Sequence, residues 1–140
     1  MPSGNAVFVR NLLKLSKITG HMDYEKKAEE IILAFVDIIH LAPHAFTQMM
    51  MAYQITQNES SEIVICGKRD LSQTQEIIHK YQRMYCPDKT VILKDDAFSN
   101  KLSELAPYTK YQQVVAEKVN VYYCKGHVCE KVDNLPQTKT

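Results

Sequence analysis

The segment LAPHAFTQMMMAYQITQN, residues Leu41–Asn58, contains no Asp, Glu, Lys or Arg. Proline is favoured in the first turn of a helix, so Pro43 predicts a helix that begins near that residue. A helix without a charged face needs cover on most of its sides. The segment therefore predicts a helix that needs more cover than an ordinary surface helix. Its apolar residues are Phe46, Met49, Met50, Tyr53 and Ile55.

Two more helices are predicted before this segment. The first runs from about Asn5 to Thr19, with Gly20 as the residue after its C-cap. The second is capped by Asp23 and carries apolar residues at helical spacing as far as Ile39. Because the link between them is short, the two helices should form an antiparallel hairpin.

The pattern changes at Ser60 to alternating short strands and helices. The apolar run Glu62–Cys66 predicts a strand buried on both faces. Asp70 and Gln73 then have the spacing of a capping box for a helix that reaches Met84. Thr90–Leu93 is the next strand, and a right-handed crossover would place it parallel to the first.

The last elements are a short helix and a hairpin. The helix spans about Ser99 to Ala106 and stops at Pro107. Strands at Val119–Tyr123 and Val128–Val132 flank Lys125-Gly126, and the tail from residue 134 is expected to be loose. The sequence thus predicts a mixed α/β chain, with a helical segment over 1–58 and a small, mostly parallel α/β segment over 59–140 that ends in the hairpin.

Composition excludes several classes of function. With 45% hydrophobic and 24% charged residues, the 140-residue chain is ordinary globular protein. A formal net charge of +1 with scattered Lys and Arg gives no basis for binding nucleic acid or an anionic membrane. The apolar runs are too short to span a bilayer, and the first five residues lack the features of a signal peptide, so a cytoplasmic location is expected.

Six stretches, taken in order, resemble the C-terminal part of a family of thioredoxin-domain-containing proteins, the spermatogenesis-associated-protein-20-like or DUF255 family. The resemblance covers nearly the whole chain. The stretches are Pro2–Asn5, Asn11–Leu15, Pro43–Phe46, Glu62–Gly67, Leu105–Tyr108 and Tyr123-Cys124 with Cys129.

This resemblance implies that the full-length parent has a thioredoxin-like domain followed by an (α/α)6 toroid of the six-hairpin glycosidase or epimerase type. The chain would then be a C-terminal fragment that contains three helices of the toroid and no complete active site. The rest of the parent would cover the uncharged helix. The resemblance also implies carbohydrate binding or processing in the parent.

Four residues are candidates for ligand binding. Ser3 and Asn5 lie at the start of the first helix, where loops of such a barrel line its pocket, although either could simply cap the helix. His44 and Gln48 are one turn apart, so their side chains should point the same way beside aromatic surface, which suits a sugar-like ligand. A histidine there could also act as acid or base, or only bond to a local carbonyl.

The hairpin cysteines allow three interpretations. If Lys125-Gly126 is a two-residue turn, Cys124, His127 and Cys129 share one face and could bind zinc, although a structural zinc site needs a fourth ligand. If the loop is four residues long, the cysteines face each other and could form a disulfide. Reduced thiols packed as small apolar groups are the third interpretation, and we expect neither metal nor disulfide under reducing conditions.

Two hypotheses of function follow. In the first, the chain belongs to a carbohydrate-active, epimerase-like parent, and no cofactor is expected. In the second, it is a non-catalytic interaction or oligomerisation module, whose uncharged helix binds the remainder of the parent chain or a second copy.

Overall fold

A computed structural model of the chain describes residues 3–57, 61–84, 89–115, 117–126 and 128–132. The fold is mixed α/β, which confirms the predicted class. By contacts the chain divides into two compact units, Met1–Glu59 and Ser60–Thr140. The first unit contains helices α1 (Gly4–Thr19), α2 (Met22–Ala34), α3 (Val36–Leu41) and α4 (Thr47–Gln57). The second contains β1 (Ser61–Cys66), α5 (Ser72–Arg83), β2 (Lys89–Lys94), α6 (Ser99–Leu105), β3 (Asn120–Lys125) and β4 (Val128–Val132).

Helix α1 has the two caps that its sequence predicts. The Ser3 hydroxyl accepts a hydrogen bond from the Ala6 N–H at 3.2 Å, which satisfies a donor of the first turn. At the other end Gly20 has φ of 75°, and its N–H donates to the Ser16 carbonyl at 2.7 Å. A residue with a Cβ rarely adopts this left-handed conformation, so the glycine fixes the end of the helix.

Helix α2 differs from its prediction at both ends. It begins at Met22 and no side chain caps it, so the expected cap at Asp23 is wrong. Asp23 lies in the first turn instead, where a carboxylate still favours the positive end of the helix dipole. The predicted long helix is also broken after Ala34, because the Phe35 N–H donates to the Ile32 carbonyl in a tighter turn before α3 begins.

The uncharged segment forms a 3-10 turn, Pro43–Phe46, followed by α4. Of the apolar residues named for this helix, Met49 and Ile55 are buried, whereas Met50 and Tyr53 are 43% and 50% exposed. Within the described residues α4 is therefore covered on one face only, and the other face keeps exposed apolar side chains. The buried core of the unit consists of Ala6, Val9, Leu12, Leu13, Ala28, Ile32, Met49, Ala52 and Ile55.

The second unit is built on a four-stranded sheet of order β2-β1-β3-β4. β1 pairs parallel with β2 but antiparallel with β3, and β3 pairs antiparallel with β4. The expected mostly parallel sheet is therefore wrong, because the hairpin joins the free edge of β1 in the opposite direction. β1 is buried on both faces, as predicted: Ile63 and Ile65 pack with α5, while Val64 and Cys66 pack on the opposite face.

Helix α5 begins at Ser72 without a side-chain cap, so the predicted Asp70 and Gln73 capping box is wrong. The Gln75 side chain donates instead to the Arg69 carbonyl at 2.8 Å and holds the loop before the helix.

Helix α6 ends before Pro107, as predicted. The expected loose tail from residue 134 lies outside the described residues. None of the described helices has the length and apolar character needed to cross a membrane.

Candidate functional site

A cleft of about 340 Å³ in the helical unit brings together three of the four predicted ligand-binding residues. Ser3, His44 and Gln48 all line it, whereas Asn5 does not. Asn5 is exposed in the first turn of α1. The remaining lining residues are Ala6, Ala45, Phe46, Thr47 and Met49.

Local structure explains why these side chains meet. Ser3 caps α1, so its hydroxyl is held at the start of that helix. His44 lies in the 3-10 turn and is exposed, and Gln48 lies in the first turn of α4 and is half-buried. Ser3 therefore caps the helix and also lines the cleft with His44 and Gln48.

The cleft combines polar groups with an apolar wall. Three of the residues that line it, Ser3, His44 and Gln48, have polar side chains, and they lie beside the apolar residues Phe46 and Met49. A small ligand with both hydroxyl groups and apolar C–H surface would match such a lining. The α/β unit contains no comparable aromatic lining in its own larger cleft, within the described residues.

The α/β unit contains a buried lysine that the sequence did not single out. Lys94 ends β2 and is 2% exposed. Its Nζ donates to the carbonyl of Thr109 at 2.6 Å and to that of Gln112 at 2.8 Å. Burial lowers the pKa of this ammonium group, and the neighbouring Cys66 opposes the change. Strand parity was the available signal, because Lys94 lies on the same face of β2 as Ile92, which packs against the buried residues Val64, Cys66 and Cys124.

Cys66 is the neighbour of Lys94 in the parallel register of β1 and β2. The thiol is fully buried, and burial raises its pKa to about 11, although the nearby Lys94 acts in the opposite direction. A thiol with a raised pKa is mostly protonated at neutral pH and is a poor nucleophile. Cys66 is therefore a structural residue at the end of β1.

We expect the raised pKa of Cys66 to make the fold lose stability in alkali. The pKa of the thiol is near 9.0 in the unfolded chain and about 11 in the folded chain. Between these values the unfolded state binds fewer protons, so stability falls as pH rises. The loss should be about 1 kcal/mol between about pH 9 and pH 10. Urea unfolding at a series of pH values measures it.

Cys66→Ala is the control variant, and it should make the fall over that range shallower. Part of the fall should remain, because burial also raises the pKa of Tyr81, Tyr108 and Tyr122. Lys94 acts with the opposite sign, because its lowered pKa makes the folded state release its proton first. A Cys66→Ala curve that falls as steeply as that of the unaltered chain would contradict the prediction.

The hairpin cysteines form a disulfide, contrary to the expectation of reduced thiols. Cys124 and Cys129 are directly opposite in the register of β3 and β4, with their Cα atoms 4.0 Å apart. This is the register of the second interpretation, in which the cysteines face each other. Lys125 pairs with Val128, so the connection begins at Gly126 and Lys125-Gly126 is not a two-residue turn. Gly126 has φ of 56°, a conformation that glycine adopts without strain.

The disulfide removes two of the three ligands of the hypothetical zinc site. Both hairpin cysteines are used in the disulfide, and His127 lies outside the described residues. No group of three His, Cys, Asp or Glu side chains suited to a metal ion occurs in the described part of the chain.

Comparison with known proteins gives one consistent result. The chain is 31% identical over 128 residues to human spermatogenesis-associated protein 20 and to the rat protein of that name, and 30% identical to the mouse protein. In each case the match covers 91% of this chain and 16% of the relative. No protein-family model matches the chain. No solved structure is significantly similar to it.

The matched region includes both units, since 128 of the 140 residues are aligned. The chain spans about one sixth of the length of these curated relatives. Over nearly all of its residues, the chain is thus similar to a limited part of spermatogenesis-associated protein 20.

Proposed function

We propose that the chain is a section of a longer protein of the spermatogenesis-associated protein 20 type, and that its helical unit forms one wall of a carbohydrate-binding cleft. The observation that carries this proposal is the convergence of Ser3, His44 and Gln48 beside Phe46 in one cleft. The match to one sixth of each relative supports the longer parent.

In this proposal the parent also contains the thioredoxin-like domain and the (α/α) toroid that the sequence resemblance implies. Neighbouring helices of the toroid would supply the other walls of the cleft. The uncovered face of α4 supports this arrangement, since Met50 and Tyr53 are exposed and no charged residue lies on that helix. His44 would act as a hydrogen-bonding group, or as acid or base, only in that complete site.

The isolated chain should bind sugars weakly, because most of the wall is missing. We expect amide signals of His44 and Gln48 in a ¹⁵N-labelled sample to shift with millimolar mono- or disaccharides. His44→Ala and Gln48→Ala should each weaken the response by about tenfold, the effect of losing roughly 1.4 kcal/mol.

Matched controls lie on the same unit away from the cleft. His40 and Gln54 are exposed and do not line it, so His40→Ala and Gln54→Ala should bind as the unaltered chain does. Equal loss in all four variants, or no response of the unaltered chain to any sugar, would refute carbohydrate binding at this cleft.

A non-catalytic interaction module is the second candidate function. The observation that favours it is an apolar groove beside α4, lined by Ile32, Leu33 and Tyr53 together with Glu29, Thr56 and Gln57. Leu33 is 67% exposed and Tyr53 50%. Apolar surface of this kind is commonly buried against a partner, here the remainder of the parent chain or a second copy.

We expect the isolated chain to self-associate through this groove at high concentration. Sedimentation velocity should show a concentration-dependent increase in mass, and Leu33→Glu should remove it because a carboxylate cannot be buried unpaired. Leu15→Glu, at a 42% exposed position on α1, is the control and should leave association intact. A monomer at all concentrations would contradict this candidate.

A further inference from the structure

The Cys124–Cys129 disulfide lies near one edge of the sheet, and neither proposed function uses it. In the strand order β2-β1-β3-β4, β4 is the outermost strand on this side. Cys129 on β4 is half-buried, whereas Cys124, one strand further in, is 0% exposed. Lys131, on the same face of β4 as Cys129, is exposed and brings a positive charge to this edge. A small anion from solvent therefore approaches the bond at its Cys129 end.

The direction of the bond also decides which sulfur a thiolate can attack. In thiol–disulfide exchange the thiolate approaches one sulfur in line with the bond and displaces the other. Because the bond runs from β3 to β4, the line through Cys129 leads out past the edge strand, beyond which the described residues form no further strand. The line through Cys124 leads back over β1, where Glu62, its paired residue, is 1% exposed. Attack is therefore open at Cys129 and blocked at Cys124.

Gln112 is placed to receive the sulfur that leaves. Its side chain is 4% exposed, and its Nε2 donates to the Cys124 Sγ at 3.5 Å. A hydrogen bond to the charged form of a group favours that form, so this donor stabilises the negative charge that Cys124 acquires when the bond breaks. A sulfur that is more stable as a thiolate leaves faster.

The same side chain also fits the product of the exchange. Gln112 Oε1 is buried and has no hydrogen-bond partner in the described part of the chain. A disulfide sulfur carries no proton, whereas a thiol is a weak donor, so a half-turn of the carboxamide would let the Cys124 S–H donate to Oε1. Opening of the disulfide therefore supplies the donor that this buried oxygen lacks.

We propose that this disulfide is a site of reversible thiolation, at which a small monothiol bonds to Cys129 and releases Cys124. The thiolate of the monothiol forms a new S–S bond with the Cys129 Sγ, and the bond to Cys124 breaks. The electron pair of the broken bond stays on the Cys124 Sγ, which then takes a proton from water. One disulfide replaces another, so no separate oxidant or reductant is consumed, and attack by the Cys124 thiolate reverses the exchange.

The first test locates the attacked sulfur. In the unaltered chain, the adduct trapped by acid after reaction with reduced glutathione should map to Cys129. Cys124→Ala and Cys129→Ala both lack the disulfide, so they are matched to each other. Oxidised glutathione should thiolate Cys129 in the first variant at least about tenfold faster than Cys124 in the second, as mass spectrometry of the digested chain measures. Equal rates, or faster thiolation of Cys124, would overturn the proposal.

The second test concerns the leaving sulfur. Gln112→Leu removes the Nε2 donor at similar volume and should slow the opening of the disulfide by reduced glutathione about three- to tenfold. Gln113→Leu, at the exposed neighbouring position, is the control and should leave the rate unchanged. A purely structural role of Gln112 predicts the opposite sign, since a loosened fold exposes the bond and speeds its opening. Opening of the Gln112→Leu disulfide at the normal rate or faster would overturn the role given to Gln112.

Discussion

Replacing Met49 with alanine is expected to lower the free energy of unfolding of the helical unit by about 2–5 kcal/mol. Met49 is 1% exposed and belongs to the core that α1, α2 and α4 share. Truncation would leave a cavity that rigid helices fill only in part. Hydrogen exchange of the α4 amides in mild denaturant reports this unit by itself and measures the loss.

The adjacent methionine provides a matched control on the same helix. Met50 is 43% exposed, so Met50→Ala should change stability by no more than about 0.5 kcal/mol. Similar losses in the two variants would mean that α4 does not bury the face described above.

Reduction of the Cys124–Cys129 disulfide is expected to lower the stability of the α/β unit by about 2 kcal/mol. The bond closes a short loop, because the two cysteines are separated by five positions in the numbering with four residues between them, so its effect on the unfolded chain is moderate. Urea unfolding with and without a phosphine reductant measures the difference. Alkylation before reduction should leave both hairpin cysteines unmodified.

A double variant, Cys124→Ala with Cys129→Ala, tests whether the effect comes from this bond. Its unfolding midpoint should not respond to the reductant. If the unaltered chain also fails to respond, or if both cysteines are alkylated without reduction, the reduced-thiol interpretation of the sequence would be correct.

Local signals in the sequence predicted the elements that have clear capping residues or a clear apolar pattern. Ser3 and Gly20 set the two ends of α1. Ser3 supplies a hydrogen-bond acceptor, Gly20 adopts a left-handed conformation, and both act within a single turn of the helix. The continuous apolar run of β1 predicted a strand buried on both faces. Helix α5 covers one face, and Tyr108 and Val114 pack on the other.

Properties set by distant contacts could not be predicted in the same way. A carboxylate near a helix start has the same sequence signature whether it caps or lies in the first turn, and both Asp23 and Asp70 were misplaced for that reason. The direction of β3 against β1 depends on the path of the chain between them, which no periodicity records. A shift of the turn by one residue changes which residues of β3 and β4 are paired. In the observed pairing Cys124 lies opposite Cys129, which gives the disulfide and not the zinc site.

The two candidate sites differ in how far the sequence revealed them. His44 and Gln48 were predicted to point the same way because they are one helical turn apart, and both line one cleft. The contact of Gln112 with Cys124 was not predicted, since the two residues meet only because the segment after α6 returns to the face of the sheet.

The pairing of β1 with β3 has a consequence for synthesis on the ribosome. Ser61 pairs with Lys125, about 60 residues later in the chain, so β1 emerges well before the strand that covers one of its edges. At translation rates of about 5–20 residues per second, that edge waits roughly 3–13 seconds for its partner. During this interval the apolar run Ile63–Ile65 presents unpaired backbone groups along that edge, and it is open to aggregation or to capture by a chaperone.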